Sequence, residues 1–279
     1  MTTAGKATTG SVAFIGGGNM ARSLIGGLVA RGHARDAIAV ADPVEATRDA
    51  LASDFGVRVH ADGADAVAGA DTWVFAVKPQ VMRGVCASLA DQAQAARPLA
   101  VSIAAGITSR QLDGWLGGGM PVVRTMPNTP ALLGAGVTGL FANDAVDDAG
   151  RQRAQSLLST AGETVWIDDE AQMDAVTAVS GSGPAYVFLL AEAMQAAGEA
   201  EGLAPEAART LTLHTLLGAS RMLVEGDADA AELRRRVTSP NGTTQAAIEA
   251  FEAGGLRALV RDAVHAARER GRELAAAND

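Results

Sequence analysis

The sequence predicts an α/β domain built on a doubly wound parallel sheet, followed by an all-α C-terminal domain. Three observations carry that expectation. Short apolar runs alternate with helical stretches up to about residue 167, and near-continuous apolar strands between helices imply a parallel sheet covered on both faces. The first of these runs enters a glycine-rich turn that opens a helix. After residue 167 the strand signal stops, and helix formers and helix punctuation take over. The expected division is a flexible tail over 1–10, a sheet domain over 11–167 and a helical domain over 168–279.

The runs 11–15, 37–41, 57–59, 72–77, 99–103 and 121–125 read as strands, each mostly apolar and bounded by Gly, Asp or Pro. Helices are expected at 19–31, 44–55, 81–95 and 109–116. Two further strands, 137–142 and 163–167, flank a helix at 147–160 and extend the same sheet. In the second part, Ser182-Gly183-Pro184 fits a helix start and Gly202 a helix end. Further helices are expected at 205–225, 230–237, 244–252 and 256–276. In the helix from Pro184, Val187, Phe188, Leu189, Leu190 and Ala191 are consecutive and apolar, so they cover every side. Such a helix needs burial all round. Either it lies at the centre of its own domain, or it lies in an interface between two copies.

Composition narrows the function classes. The 23 Lys and Arg against 32 Asp and Glu leave a net charge of −9, a poor balance for a general nucleic-acid binder. One cysteine, Cys86, makes neither an internal disulfide nor a multi-thiolate zinc site. His33, His60, His214 and His265 form no ligand-spaced pair. No run of about 18 uncharged apolar residues suits a membrane span, and the N-terminus lacks a secretory core. A cytoplasmic protein with a small-molecule substrate is the expectation.

Gly16-Gly17-Gly18-Asn19-Met20-Ala21 follows the first strand and opens a helix. This G-x-G-x-x-A run reads either as a glycine-rich turn with only a packing role or, as its strand-to-helix context favours, as a dinucleotide loop: one glycine for the tight turn, one for close approach to a pyrophosphate, and Ala21 for close helix–strand packing. The helix start adds free N–H groups and a positive dipole end. Asp42, at the end of the second strand, is placed either to accept ribose hydroxyls or to make an Asp-Pro turn with Pro43. Val77-Lys78-Pro79 follows the fourth strand, where a doubly wound sheet binds ligands. Lys78 has the chemistry of a base or an imine-forming amine, but Pro79 favours a loop shaped for backbone contact. Ala104, Ala105 and Gly106 close the fifth strand with room for a flat ring. Asn128, in a turn rigidified by Pro127 and Pro130, either orients the nicotinamide amide or the substrate, or is simply structural. Ser239-Pro240-Asn241-Gly242-Thr243-Thr244 lies between two helices. Thr243 or Thr244 opens the second helix, whose N–H groups either take a carboxylate or belong to a plain capped turn. Arg234, Arg235 and Arg236 point in three directions and read as a solvated face.

Together FIGGGNMA at 14–21, VKPQ at 77–80, RTMPNTP at 124–130, SGSGPAY at 180–186 and TSPNGTT at 238–244 resemble the pyrroline-5-carboxylate reductase family, over nearly the whole chain after the tail. The resemblance implies reduction of 1-pyrroline-5-carboxylate to L-proline by NAD(P)H. It also implies a Rossmann domain and a helical domain that forms a homodimer, in some members assembled into a larger ring. Thr244 would hydrogen-bond the pyrroline nitrogen, and Ser239, Thr243 and Thr244 would hold the carboxylate. The family usually has Gly where this chain has Asn241, which also tolerates a left-handed backbone.

An imine substrate suits the residues available. A protonated imine needs orientation more than acid–base machinery, whereas a ketone reductase needs a proton donor. Two rivals stand beside this reading. A hydroxyacid dehydrogenase of similar layout relies on a lysine in its second domain, and here no lysine follows Lys78. A dinucleotide-binding regulator would turn over no imine. For the cofactor, Asp42 and Glu45 would repel a 2′-phosphate, with Arg48 the nearest cation, so NADH is expected to serve at least as well as NADPH.

Overall fold

Strand β1 (Val12–Ile15) shows how the first part of the chain is built. All four of its residues are buried, and alternate side chains go to opposite faces of the sheet. Val12 and Phe14 join one core with Leu24, Ile25 and Leu28, while Ala13 and Ile15 join the other with Met82, Cys86 and Leu89. A strand buried on both faces has no polar positions to alternate, hence its continuous apolar run.

The structure is a computed structural model, and it describes residues 10–276. The expected tail over 1–10, except Gly10, lies outside the described residues. After β1 come α1 (Asn19–Ala30), β2 (Ile38–Ala41), α2 (Glu45–Phe55), β3 (Arg58–His60), α3 (Gly63–Val67), β4 (Thr72–Phe75), α4 (Pro79–Ala96), β5 (Leu99–Ser102), α5 (Ser109–Trp115) and β6 (Val122–Met126). Then follow β7 (Gly136–Ala142), α6 (Asp148–Leu158) and β8 (Gly162–Trp166). The eight strands form one sheet in the order β3-β2-β1-β4-β5-β6-β7-β8.

The order reverses between β1 and β4, the switch point of a doubly wound sheet. Every neighbouring pair is parallel except β6 with β7. That exception lies at β7, one of the two strands expected to extend the sheet. Residues 127–135 hold only a 3₁₀ turn, Thr129–Leu133, and a parallel return needs a crossover of about a dozen residues or more. The β7–α6–β8 unit has its helix and is parallel again.

Residues 10–182 and 267–276 form one compact unit, and Gly183–Ala266 form a second. The division falls beyond the expected 167/168 boundary, for a physical reason. In α7 (Met173–Val176) and the wider π turn Thr177–Gly181, Met173 and Ala178 are buried. Glu170, just before them, accepts from the Ser109 N–H and hydroxyl at 2.6 Å each and pairs with buried Arg124 at 3.1 Å.

The second unit contains α8 (Gly183–Ala200), α9 (Pro205–Glu225), α10 (Ala230–Arg236), α11 (Thr243–Ala253) and the start of α12 (Leu256–Ala276). No residue of α8 is buried. Phe188 and Leu189 are each 66% exposed, so α8 is not the centre of its own domain. No described helix is long and apolar enough to cross a membrane.

Candidate active site

The first unit gathers its candidate loops at one edge. The carboxyl ends of parallel strands β1, β2, β4, β5 and β6 all lie there, so the segments starting at Gly16, Asp42, Ala76, Ile103 and Pro127 share that edge. Gly16 makes the turn out of β1 with φ +103° and donates its N–H to Ala41 O at 2.8 Å. A Cβ there would stand 2.7 Å from Ala76 O and 3.1 Å from Val77 Cγ1. The Val77-Lys78-Pro79 loop is thereby packed against the glycine turn.

Gly18 differs. It is exposed and caps α1, and a Cβ on it would meet nothing within 4 Å. The chain's own packing therefore does not require glycine at this position. The N–H groups of Gly18, Asn19 and Met20 have no partner among the described residues. An uncovered helix start with an open approach fits a dinucleotide pyrophosphate. Ala21 is buried against the sheet.

Asp42 is held more firmly than either expected role required. Its Oδ2 accepts from the Gly17 N–H and its Oδ1 from the Val44 N–H, each at 2.9 Å. Arg48 donates to the Asp42 carbonyl at 2.8 Å. The Asp-Pro turn therefore exists, and the same carboxylate also ties it to the glycine loop. Lys78 caps α4 with Pro79 at its first turn, and it is exposed.

Thr125 Oγ1 donates to Ser102 O at 2.9 Å, tying the start of the Ala104, Ala105 and Gly106 loop to β6. Ala104 is buried and Ala105 exposed, and Gly106 turns with φ +72°. Asn128 is 9% exposed. Its amide donates to Ser180 O at 3.1 Å and accepts from the Val137 N–H at 3.0 Å. These bonds make it a strut between β7 and the π turn. Cys86 is fully buried on α4, and burial pushes its thiol up to about 12. Its thiolate is suppressed at neutral pH, which leaves it chemically inert.

In the second unit, the turn before α11 gathers the other candidates. Asn241 adopts φ +60°, as its side chain permits. Gly242 caps α11, donating its N–H to Ser239 O at 3.1 Å, and a Cβ there would stand 2.5 Å from Ser239 Oγ. Thr243 and Thr244 are the first two helical residues, Thr243 exposed and Thr244 half-buried. Ser239 and Pro240 are exposed on the same turn. The N–H groups of Thr243, Thr244 and Gln245 have no partner among the described residues. A residue that the sequence reading did not single out completes the turn: Gln245 Oε1 accepts from the Asn241 N–H at 2.8 Å. Its signal was present, because the third helical position is where Gln reaches back in a capping box.

These features define a chain of the dinucleotide-binding oxidoreductase type with an appended helical unit. Residues 11–106 match the family described as NADP oxidoreductase coenzyme F420-dependent, and residues 170–274 match pyrroline-5-carboxylate reductase dimerisation. The pyrroline-5-carboxylate reductase of Pseudomonas aeruginosa is 54% identical over 268 residues, covering 96% of this chain and 98% of that one. A solved structure of the Coxiella burnetii enzyme superimposes with a TM-score of 0.93 at 42% identity, covering 95% and 98% of the two chains. The Plasmodium falciparum enzyme, solved with NADP bound, gives 0.82 at 26% identity, covering 95% and 98%. The chain belongs to the pyrroline-5-carboxylate reductase family.

Proposed function

We infer that the chain reduces 1-pyrroline-5-carboxylate to L-proline with NAD(P)H, the last step of proline biosynthesis. The observation that carries this reading is the start of α11. Uncommitted N–H groups at Thr243, Thr244 and Gln245 suit a carboxylate, and the Thr244 hydroxyl lies on the same turn for the ring nitrogen. The helix start stabilises the bound anion through its dipole. Ser239, Pro240, Asn241 and Gly242 shape the rest of that contact surface.

The cofactor's phosphates fit the helix start at Gly18, Asn19 and Met20. The segments at Gly16 and Gly17, at Val77, Lys78 and Pro79, and at Ala104, Ala105 and Gly106 line the same sheet edge, and Asn128 lies in the loop after β6 at that edge. When bound, the reduced nicotinamide supplies the hydride that reaches the imine carbon. The ring nitrogen is already protonated, so the product amine forms without a protein acid. Thr244 accepts the iminium N–H and orients the ring. A threonine hydroxyl does not ionise near neutral pH, so its role is alignment. Neither Lys78 nor any histidine is required.

The helices of the second unit pair two copies into a homodimer, and larger rings build on that dimer. A cytoplasmic location suits a reaction that draws on the reduced nicotinamide pool.

The test is steady-state kinetics with pyrroline-5-carboxylate beside cofactor titration by fluorescence. Losing one hydrogen bond that leaves its partner unsatisfied costs about 1–3 kcal/mol. Thr244→Ala should therefore lower kcat/KM about 5–150-fold, and Thr244→Ser should lose less. Cofactor affinity should stay unchanged. Wild-type turnover in Thr244→Ala would return this turn to a purely structural role. A wild-type protein that oxidises neither NADH nor NADPH with this imine would favour the regulator reading.

A further inference from the structure

We propose that the chain discriminates between its two possible cofactors, selecting NADH over NADPH, and that Asp42 is the discriminating residue. The proposal rests on the reading of the glycine loop as a dinucleotide site and deepens it. The two cofactors differ by one phosphate on the adenosine ribose, the part that a Rossmann fold receives at the end of β2.

Asp42 ends β2 here, and its carboxylate is anchored. Oδ2 accepts from the Gly17 N–H and Oδ1 from the Val44 N–H, both at 2.9 Å. The Asp42 N–H donates to His60 O at 3.1 Å, which fixes the backbone from the β3 side. A carboxylate held at both oxygens and at its own N–H does not swing away from an incoming group. It has about four acceptor positions. Two are spent on the backbone, which leaves two for ribose hydroxyl donors. The 2′-hydroxyl of NADH supplies a donor. The 2′-phosphate of NADPH removes that donor and brings like charge to a fixed negative group, which is unfavourable at such range.

The surrounding charges reinforce the effect. Glu45, at the first turn of α2, is exposed and adds a second negative charge. Arg48 is the single cation in the stretch from Ala41 to Arg48. One of its N–H groups is spent on the Asp42 carbonyl, 2.8 Å away. An arginine free to clamp a phosphate with its whole fork would offset both acids, but this one is partly committed to holding the acid in place. The same carboxylate also holds Gly17, so it links ribose recognition to the shape of the phosphate loop.

The test is equilibrium binding to the purified full-length protein without substrate, by fluorescence titration with NADH and, separately, NADPH. NADH should bind at least about fivefold tighter; a smaller ratio, or one favouring NADPH, overturns the proposal. Asp42→Asn removes the charge and should shift the ratio toward NADPH at least about fivefold, while weakening both cofactors, because an amide cannot accept from both Gly17 and Val44. Where Asp42→Asn fails to fold, Glu45→Arg reads the same electrostatics without touching the Gly17 bond, and its ratio should shift in the same direction. An unchanged ratio in the soluble variants overturns the role of Asp42. Selective NADH binding without imine reduction would sink the proposed reaction and leave this inference standing. Imine reduction with both cofactors bound alike would do the reverse.

Discussion

The two compact units differ in how they close. In the sheet unit, β1, β2, β4 and β5 are buried along their whole length, and two cores flank the sheet. In the helical unit, only Ala208 and Thr212 are buried among the described residues of Gly183–Ala266. Val187, Phe188, Leu189 and Leu190 on α8 are 44–66% exposed, and Leu211, Leu217, Met222 and Leu223 on α9 are at least half exposed. A sheet between two helical layers closes its core within one chain. A helix apolar all round does not, and needs further partners. The helical unit is half of a core, and the match to a dimerisation family over 170–274 says what the other half is. The chain thus oligomerises through this unit for the same reason that its sheet folds: burial of apolar surface.

The largest expected effect comes from putting a charge on the open half. Leu190→Glu places a carboxylate where a second copy must pack, and an unpaired buried charge is prohibitive. Sedimentation should show a dimer or larger for the wild type and monomer, or unfolded helical unit, for the variant. A wild-type monomer at micromolar concentration would break the comparison outright.

The closed half should respond differently. Leu24 is fully buried on α1 against the sheet, so Leu24→Ala should cost about 2–5 kcal/mol of stability, measured by denaturant unfolding. The association state should not change. Cys86 reports on the same unit. Its folded thiol is pushed up to about 12 from an ordinary value of 9.0, so the folded state favours the protonated form. The sign follows: Cys86 contributes stability below pH 9, and that contribution is lost as pH rises from 9 toward 12. At neutral pH the thiol should resist a disulfide reagent in the wild type and in Leu190→Glu, and react sooner in Leu24→Ala. Rapid labelling of the native wild type would show that the sheet core opens.

The strands were legible in the sequence because a strand buried on both faces must be apolar at every position, and β1, β2 and β4 carry that pattern between turn residues. The direction of β7 was left open, although residues 127–135 are too short for a crossover. Helix α3 was missed because Gly63–Val67 is too short to show a period, and only its cap, Asp62, marks it. The compact units divide at 182/183, and the reason does not show in the sequence. Glu170 meets Ser109 and Arg124 far along the chain, and such long-range pairs leave no local pattern. In the candidate site, the glycine turn between β1 and α1 was legible from residue type and spacing, whereas the turn before α11 read either as a carboxylate site or as a plain capped turn. The backbone bonds of Asp42 and Asn128 were not legible, since a short polar side chain looks the same in sequence whether or not it also ties down backbone.

The smallest expected effect tests whether the open unit is nevertheless ordered where its chemistry lies. Gln245 Oε1 takes the Asn241 N–H at 2.8 Å, and its Nε2 donates to Glu249 at 2.7 Å. The first bond ties Asn241 in its left-handed turn to α11 and keeps that N–H out of the surface proposed for the carboxylate. An exposed bond of this kind contributes about 0.5–1.5 kcal/mol. Gln245→Ala should therefore raise KM for pyrroline-5-carboxylate about 2–10-fold with kcat nearly constant, because the Thr244 hydroxyl remains. Cofactor affinity and sedimentation should not move. A fall in kcat with KM unchanged would mean that Gln245 acts on the alignment of the ring itself. No change in either would mean that the first turn of α11 holds its shape without the side chain, and that local order in the helical unit comes from its packed oligomer alone.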